Sequence, residues 1–101
     1  MARSPAAIES EVSPAIASEA QPRPRVLLVD DDERNLLALS EVLEPVASVV
    51  TASSGRMALR ELLKDEFAVI LLDVFMPEMD GYETASLIRK RAQTARIPII
   101  F

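Results

Sequence analysis

The chain has 101 residues, half of them hydrophobic, and a formal net charge of −5 at pH 7. This length allows one small domain, and the negative charge argues against nucleic acid or an anionic membrane as a direct partner. Because the sequence contains neither cysteine nor histidine, it excludes disulfides, metal sites built on those residues, and thiolate or Ser-His-Asp catalysis.

The sequence contains no apolar run of the roughly 20 residues that span a membrane. Glutamates interrupt the N-terminal segment where a secretory signal would be apolar. A cytoplasmic location fits these features. The chemistry available to the protein is that of carboxylates, hydroxyls, lysine and arginine.

Residues 1–24 differ from the rest of the chain, because prolines are scattered among many alanine, serine and glutamate residues. Ile8, Val12 and Ile16 recur at a helical spacing, but Pro14 interrupts that face. We therefore interpret 1–24 as a flexible leader that ends in an extended linker. The domain itself is predicted to occupy residues 25–101.

Short apolar runs at 26–29, 68–72 and 97–101 predict strands that are buried on both faces, as in parallel sheets. The more mixed segment 46–51 indicates an edge strand. Apolar stripes at helical spacing lie between the strands. The first stripe comprises Leu36, Leu37, Leu39, Val42 and Leu43; the second, after a cap at Ser53 or Ser54, comprises Ala58, Leu59, Leu62 and Leu63; the third, after Asp80 and Gly81, comprises Tyr82, Ala85, Ile88 and Ala92.

The predicted order is therefore β-α-β-α-β-α-β. Alternation of this kind indicates an α/β fold, with a parallel sheet, right-handed crossovers and helices on both faces. In such sheets, ligands bind beyond the carboxyl ends of the strands.

Acidic residues follow two of the predicted strands. Asp30 closes the first run and is followed by Asp31, Asp32 and Glu33, while Asp73 closes the third run. If these strands are neighbours, Asp30, Asp31 and Asp73 converge, and their repulsion calls for a cation such as Mg²⁺, which prefers oxygen ligands. Capping of the next helix explains any one of the acids at 31–33 equally well, but it does not explain Asp73.

Three segments carry a resemblance to a known family. The stretches VLLVDDDERN (26–35), ILLDVFMPEMDGY (70–82) and IPIIF (97–101) resemble the receiver, or response regulator, domain of bacterial two-component systems. The resemblance covers the chain from about residue 25 to the last residue. It implies a flavodoxin-like, doubly wound parallel sheet with strand order 2-1-3-4-5.

The resemblance also implies roles for individual residues. Asp73 would be the phosphoacceptor, which takes a phosphoryl group from a histidine kinase or phosphotransfer protein in a step that the receiver itself catalyses. Asp30, Asp31, Asp73 and the backbone carbonyl of Phe75 would hold Mg²⁺. The domain would otherwise not be an enzyme, and it would contact neither nucleic acid nor membrane directly. We further hypothesise that the Phe75 side chain lies over the site and hinders an attacking water.

The family pattern extends further than residue 101. It continues with a hydroxyl residue, a fourth helix, a fifth strand that carries a lysine, and a fifth helix. We therefore expect the sequence to be a fragment of a longer regulator, with an output or kinase domain to follow, or a shortened reading frame. We also expect residues 1–101 alone to be unstable, to self-associate, or to be completed by another chain.

Two alternatives remain open. Asp30 and Asp32 form a D-x-D pair after a strand, as in Mg²⁺-dependent aspartyl phosphatases of the haloacid dehalogenase type, although Arg34 stands where that family has threonine or valine. In that class Asp30 would be the nucleophile. Alternatively, the chain is a pseudo-receiver that acts only as an interaction module.

Overall fold

The computed structural model describes residues 23–101, in which four strands alternate with three helices. The elements in chain order are β1 (Arg25–Val29), α1 (Glu33–Leu43), β2 (Ser48–Ala52), α2 (Gly55–Lys64), β3 (Val69–Leu72), α3 (Gly81–Lys90) and β4 (Ile99–Ile100). All strand pairs are parallel, and the order across the sheet is β2-β1-β3-β4. The predicted flavodoxin-like α/β class is confirmed.

The predicted leader lies outside the described residues, apart from Arg23 and Pro24. These two residues are attached to the connection that precedes β2. The Arg23 guanidinium donates to the carbonyl of Ala47 at 3.0 Å, and the Ser48 N–H donates to the carbonyl of Pro24 at 2.8 Å.

The central strand β1 divides the core between the two faces of the sheet. Leu27 and Val29 belong to a cluster that α2 and α3 cover, whereas Val26 and Leu28 belong to a smaller cluster covered by α1. Successive side chains of a strand point to opposite faces, so the continuous apolar run of β1 supplies both clusters.

The predicted apolar stripe of α1 is mostly exposed. Leu36 is buried, but Leu37 and Val42 are 63% and 71% exposed. The reason is that α1 is the only helix on this face of the sheet within residues 23–101. An open groove of about 250 Å³ remains beside it, and Leu36, Leu39, Leu71 and Ile100 are among its lining residues.

The predicted faces of α2 and α3 were wrong at three positions. Leu63 and Tyr82 are exposed, and Ala92 is an exposed residue beyond the end of α3. The buried positions of α3 are Gly81, Thr84 and Ile88. Gly81 lies against the backbone that follows β3, Thr84 lies against Gly55 of α2, and Ile88 belongs to the core cluster. The Thr84 hydroxyl can be buried because it donates to the carbonyl of Asp80 at 2.8 Å.

The limits of the edge strands also differ from the prediction. The run at 97–101 forms only the two-residue strand β4. The edge strand predicted at 46–51 is β2, which begins two residues later, at Ser48. The approach to β4 is held by Arg89, whose guanidinium donates to the carbonyls of Ala95 and Ile97 at 3.0 and 2.6 Å. None of the helices in the described part of the chain is both long and apolar enough to span a membrane.

Candidate functional site

The site is built where two adjacent parallel strands end. β1 and β3 pair in register, with Val29 opposite Leu72, so the residues that follow them lie side by side. The Asp30 N–H donates to the carbonyl of Ala52 at 3.1 Å, and the Asp73 N–H donates to the carbonyl of Val29 at 2.9 Å. These bonds extend the ladder by one residue and fix the backbone of both aspartates.

Three carboxylates meet at this edge of the sheet. Asp30, Asp31 and Asp73 each offer an oxygen, and these oxygens all lie within 4.8 Å of one another. Asp30 and Asp73 are half-buried, while Asp31 is exposed. Such a spacing allows one cation to contact all three carboxylates, and the oxygen-only set suits a hard ion.

The electrostatics of Asp73 reflect this crowding. Burial raises the pKa of the Asp73 carboxyl, and the negative charges of Asp30 and Asp31 raise it further. The N–H of Phe75 donates to Asp73 Oδ1 at 3.3 Å, which acts in the opposite direction and lowers the pKa. The net shift of the pKa is upward, so ionisation of Asp73 is less favourable than that of a free aspartate.

Asp30 is held by two hydrogen bonds from the chain that follows it. The backbone N–H of Asp32 donates to Asp30 Oδ1 at 2.9 Å, and the Asn35 side-chain amide donates to Asp30 Oδ2 at 3.1 Å. The sequence analysis gave Asn35 no role, although it ends the segment 26–35 that carries the family resemblance. The available signal was its spacing, because a side chain in the first turn of α1 can reach back to the end of β1.

Asp32 has a different place from the other acids. It is the N-cap of α1, where its Oδ1 accepts the N–H of Arg34 at 2.9 Å. The Arg34 guanidinium also donates to this carboxylate and lowers its pKa. Glu33 is an exposed residue of the first helical turn. Asp32 thus caps α1 and pairs with Arg34, and it is not one of the three carboxylates, those of Asp30, Asp31 and Asp73, whose oxygens lie within 4.8 Å of one another.

The loop after β3 shapes the other side of the site. The Phe75 side chain is 86% exposed, so it does not belong to the core. Glu78 adopts a left-handed backbone conformation with φ of 68°. Asp80 then caps α3 by accepting the N–H of Glu83 at 2.8 Å.

Gly81 allows α3 to begin directly against the backbone of Asp73. A Cβ at Gly81 would overlap the Asp73 carbonyl oxygen and would lie 2.8 Å from Cα of Val74. The Gly81 N–H donates to the carbonyl of Val74 at 2.9 Å. The D-G pair of the sequence therefore supplies both the helix cap and the close approach.

Comparison with known proteins identifies this arrangement. The family model of the response regulator receiver domain matches residues 26–101. The chain is 38% identical over 86 residues to the sensor protein GacS of Pseudomonas syringae pv. syringae, an alignment that covers 84% of this chain and 9% of that protein. Other relatives include transcriptional regulatory proteins.

Solved structures give the same result. The chemotaxis protein CheY4 of Vibrio cholerae superposes with a TM-score of 0.75 at 37% identity, over 77% of this chain and 66% of that one. TrrA of Thermotoga maritima, a response regulator solved in complex with Mg²⁺-BeF, superposes with a TM-score of 0.65 at 34% identity, over 68% and 61% of the two chains.

The chain spans only a small part of the curated relatives that it matches, 17% and 9% of two that are each 38% identical to it. The match lies where the acidic site and its strands lie. Residues 26–101 belong to the response regulator receiver domain family, whose members occur in sensor kinases and in response regulators.

Proposed function

We propose that this domain is a phosphoacceptor of two-component signalling, in which Asp73 takes a phosphoryl group from the phosphohistidine of a histidine kinase or phosphotransfer protein. The observation that carries this proposal is the meeting of Asp30, Asp31 and Asp73 within 4.8 Å at the ends of two paired strands. Membership of the receiver family supports the same role.

The donor set fits Mg²⁺. It consists of carboxylate oxygens without nitrogen or sulfur, and a bound cation would offset both the burial and the mutual repulsion that raise the pKa of Asp73. Asp30, Asp31 and Asp73 would hold the ion together with the backbone carbonyl of Phe75. When bound, Mg²⁺ offsets the negative charge of the incoming phosphoryl group and of the carboxylates.

The chain's own groups suit nucleophilic attack by Asp73. Its Oδ1 accepts the Phe75 N–H at 3.3 Å, which orients the carboxylate and leaves Oδ2 as the attacking oxygen. An O–P bond forms at Asp73 while the N–P bond of phosphohistidine breaks, and the electron pair of that bond returns to the imidazole. The product is an acyl phosphate on Asp73. The Asp73 backbone is held by Val29 and by the approach of α3, so the nucleophile is fixed before the donor arrives.

We place this reaction in the cytoplasm, where ATP supplies the phosphohistidine of the partner kinase. The identity of the partner and of any output domain depends on the whole protein. The relatives suggest that this protein is either a sensor kinase or a transcriptional regulator. Apart from catalysing its own phosphorylation, the domain is proposed to act as a signalling module.

The proposal is tested by incubating the protein with a radiolabelled phosphohistidine donor or with acetyl phosphate, in Mg²⁺ and in EDTA. We expect incorporation in Mg²⁺ that is lost in EDTA and in Asp73→Asn. The matched control is Glu66→Gln, which removes one exposed carboxylate at the opposite end of β3 and should incorporate label as the parent does. Incorporation that survives in Asp73→Asn contradicts the assignment, and a parent that incorporates no label supports a pseudo-receiver instead.

A further inference from the structure

Asn35 contacts the acidic site from the first turn of α1. Its amide nitrogen donates to Asp30 Oδ2 at 3.1 Å, while the N–H of Asp32 donates to Asp30 Oδ1 at 2.9 Å. One donor therefore reaches each oxygen of the Asp30 carboxylate. One bond comes from the β1–α1 connection and the other from the first turn of α1, and together they restrain the carboxylate.

We propose that Asn35 is a positioning residue, which holds Asp30 in the orientation that a divalent cation requires. The inference rests on the proposed function only in that it assigns a cation to Asp30, Asp31 and Asp73. Asn35 itself need not touch the ion. Groups that orient the ligands of a metal commonly determine much of its affinity.

The chemistry of the side chain supports this role. An amide supplies an N–H to Asp30 without adding a charge, whereas a carboxylate at position 35 would add a fourth negative group beside three that already lie within 4.8 Å. Asparagine is also a weak helix former, because its side chain competes for hydrogen bonds. At this position the amide instead bonds to the residue that ends β1.

Asn35 is distinct from its basic neighbour in the same turn. The Arg34 guanidinium donates to Asp32, the helix cap, and so does not serve Asp30. Among the described hydrogen bonds, the side chain of α1 that donates to the acidic site is therefore the neutral amide of Asn35. It both orients Asp30 and places the positive end of an N–H dipole against the crowded carboxylates.

The test measures Mg²⁺ affinity by calorimetric titration of the full chain, without any phosphoryl donor. Asn35→Leu keeps the approximate size of the side chain and removes the donor, and we expect it to weaken Mg²⁺ binding by roughly 10-fold. Asn35→Gln retains the amide and should recover part of the loss. The matched control is Gln93→Leu, which removes an exposed amide beyond the C-terminal end of α3 and should bind Mg²⁺ as the parent does.

Circular dichroism of each variant establishes that the fold is intact. Unchanged Mg²⁺ affinity in Asn35→Leu overturns the inference, and so does a loss that Asn35→Gln shares in full. A purely structural role would lower stability without changing the affinity of the folded protein. Failure of the proposed function gives a different pattern, in which the parent binds Mg²⁺ with Asn35-dependent affinity but accepts no phosphoryl group.

Discussion

Replacing Asp73 by asparagine should stabilise the metal-free protein. The substitution keeps the shape of the side chain and an oxygen that can accept the Phe75 N–H, but it removes one of three charges that lie within 4.8 Å of one another. At this separation a pair of unit charges repels by about 1 kcal/mol in water and by about 3.5 kcal/mol at an effective dielectric constant of ~20. Because Asp73 is half-buried, we expect the free energy of unfolding to rise by about 1–3 kcal/mol.

The pH dependence gives an independent check. Burial and the neighbouring acids raise the pKa of Asp73 above its ordinary value of 3.8, so the folded state binds the proton more tightly than the unfolded state does. The unfolding free energy of the parent therefore falls as pH rises from that ordinary value through the raised pKa. The stability difference between Asp73→Asn and the parent should be full above the raised pKa and should vanish at lower pH.

The assay is urea unfolding in EDTA at neutral and acidic pH, with Glu66→Gln as the control for loss of an exposed carboxylate. Mg²⁺ should narrow this difference, because the parent keeps all three carboxylate ligands and a bound ion adds about 2.7 kcal/mol of stability at 100 times its Kd. If Asp73→Asn in EDTA is no more stable than the parent at neutral pH, the carboxylates do not repel one another as described.

Three further perturbations test other parts of the structure. Gly81→Ala should lower the free energy of unfolding, measured in urea, by about 1–3 kcal/mol, because the added methyl group overlaps the Asp73 backbone. The control Ser86→Ala in the same helix should change it by less than about 0.5 kcal/mol. Equal effects of the two substitutions would contradict the close approach. Phe75→Asn should shorten the lifetime of the phosphorylated protein in a hydrolysis time course, if the exposed ring hinders water, and equal rates would remove that hypothesis. Leu37→Lys combined with Val42→Lys should reduce self-association in sedimentation velocity, because both side chains belong to the exposed stripe of α1, and a parent that is monomeric at every concentration would contradict this expectation.

The sheet was predictable because its sequence signal is local and redundant. A strand buried on both faces reads as a continuous apolar run, and β1 and β3 both show such a run followed by aspartate. The prediction offered Ser53 or Ser54 as the cap of α2 and Asp80-Gly81 as the start of α3, and Ser54 and Asp80 are the N-caps. These signals suffice for the order of elements and for the ends of the strands that form the site.

The helix faces were less predictable, because a stripe records only that a helix has an apolar side. It does not record how much of that side the rest of the molecule covers, as Leu37 and Leu63 show by their exposure. Tyr82 was predicted in the core, yet its ring lies at the surface against Phe101, with centroids 5.2 Å apart. The burial of Thr84 was not predicted, because it depends on a hydrogen bond that its hydroxyl donates to the carbonyl of Asp80, the N-cap of the same helix.

Within the acidic site, Asp30, Asp31 and Asp73 were predicted to converge, but spacing alone left each acid at 31–33 open to a capping role. Asp31 and Asp32 are adjacent and chemically identical, but only the direction of the backbone after β1 turns Asp31 towards Asp73 and leaves Asp32 to cap α1. The contact of Asn35 with Asp30 depends on the same turn. Such details follow from backbone geometry, which residue types alone do not encode.

The role of Asp73 as phosphoacceptor is tested by identifying the side chain that becomes phosphorylated. The protein is phosphorylated in Mg²⁺, the acyl phosphate is trapped by borohydride reduction, and the modified residue is located by peptide mass spectrometry. We expect modification of Asp73 and of no other aspartate. Modification of Asp30 would instead support the aspartyl phosphatase chemistry and would contradict the roles assigned to the three carboxylates.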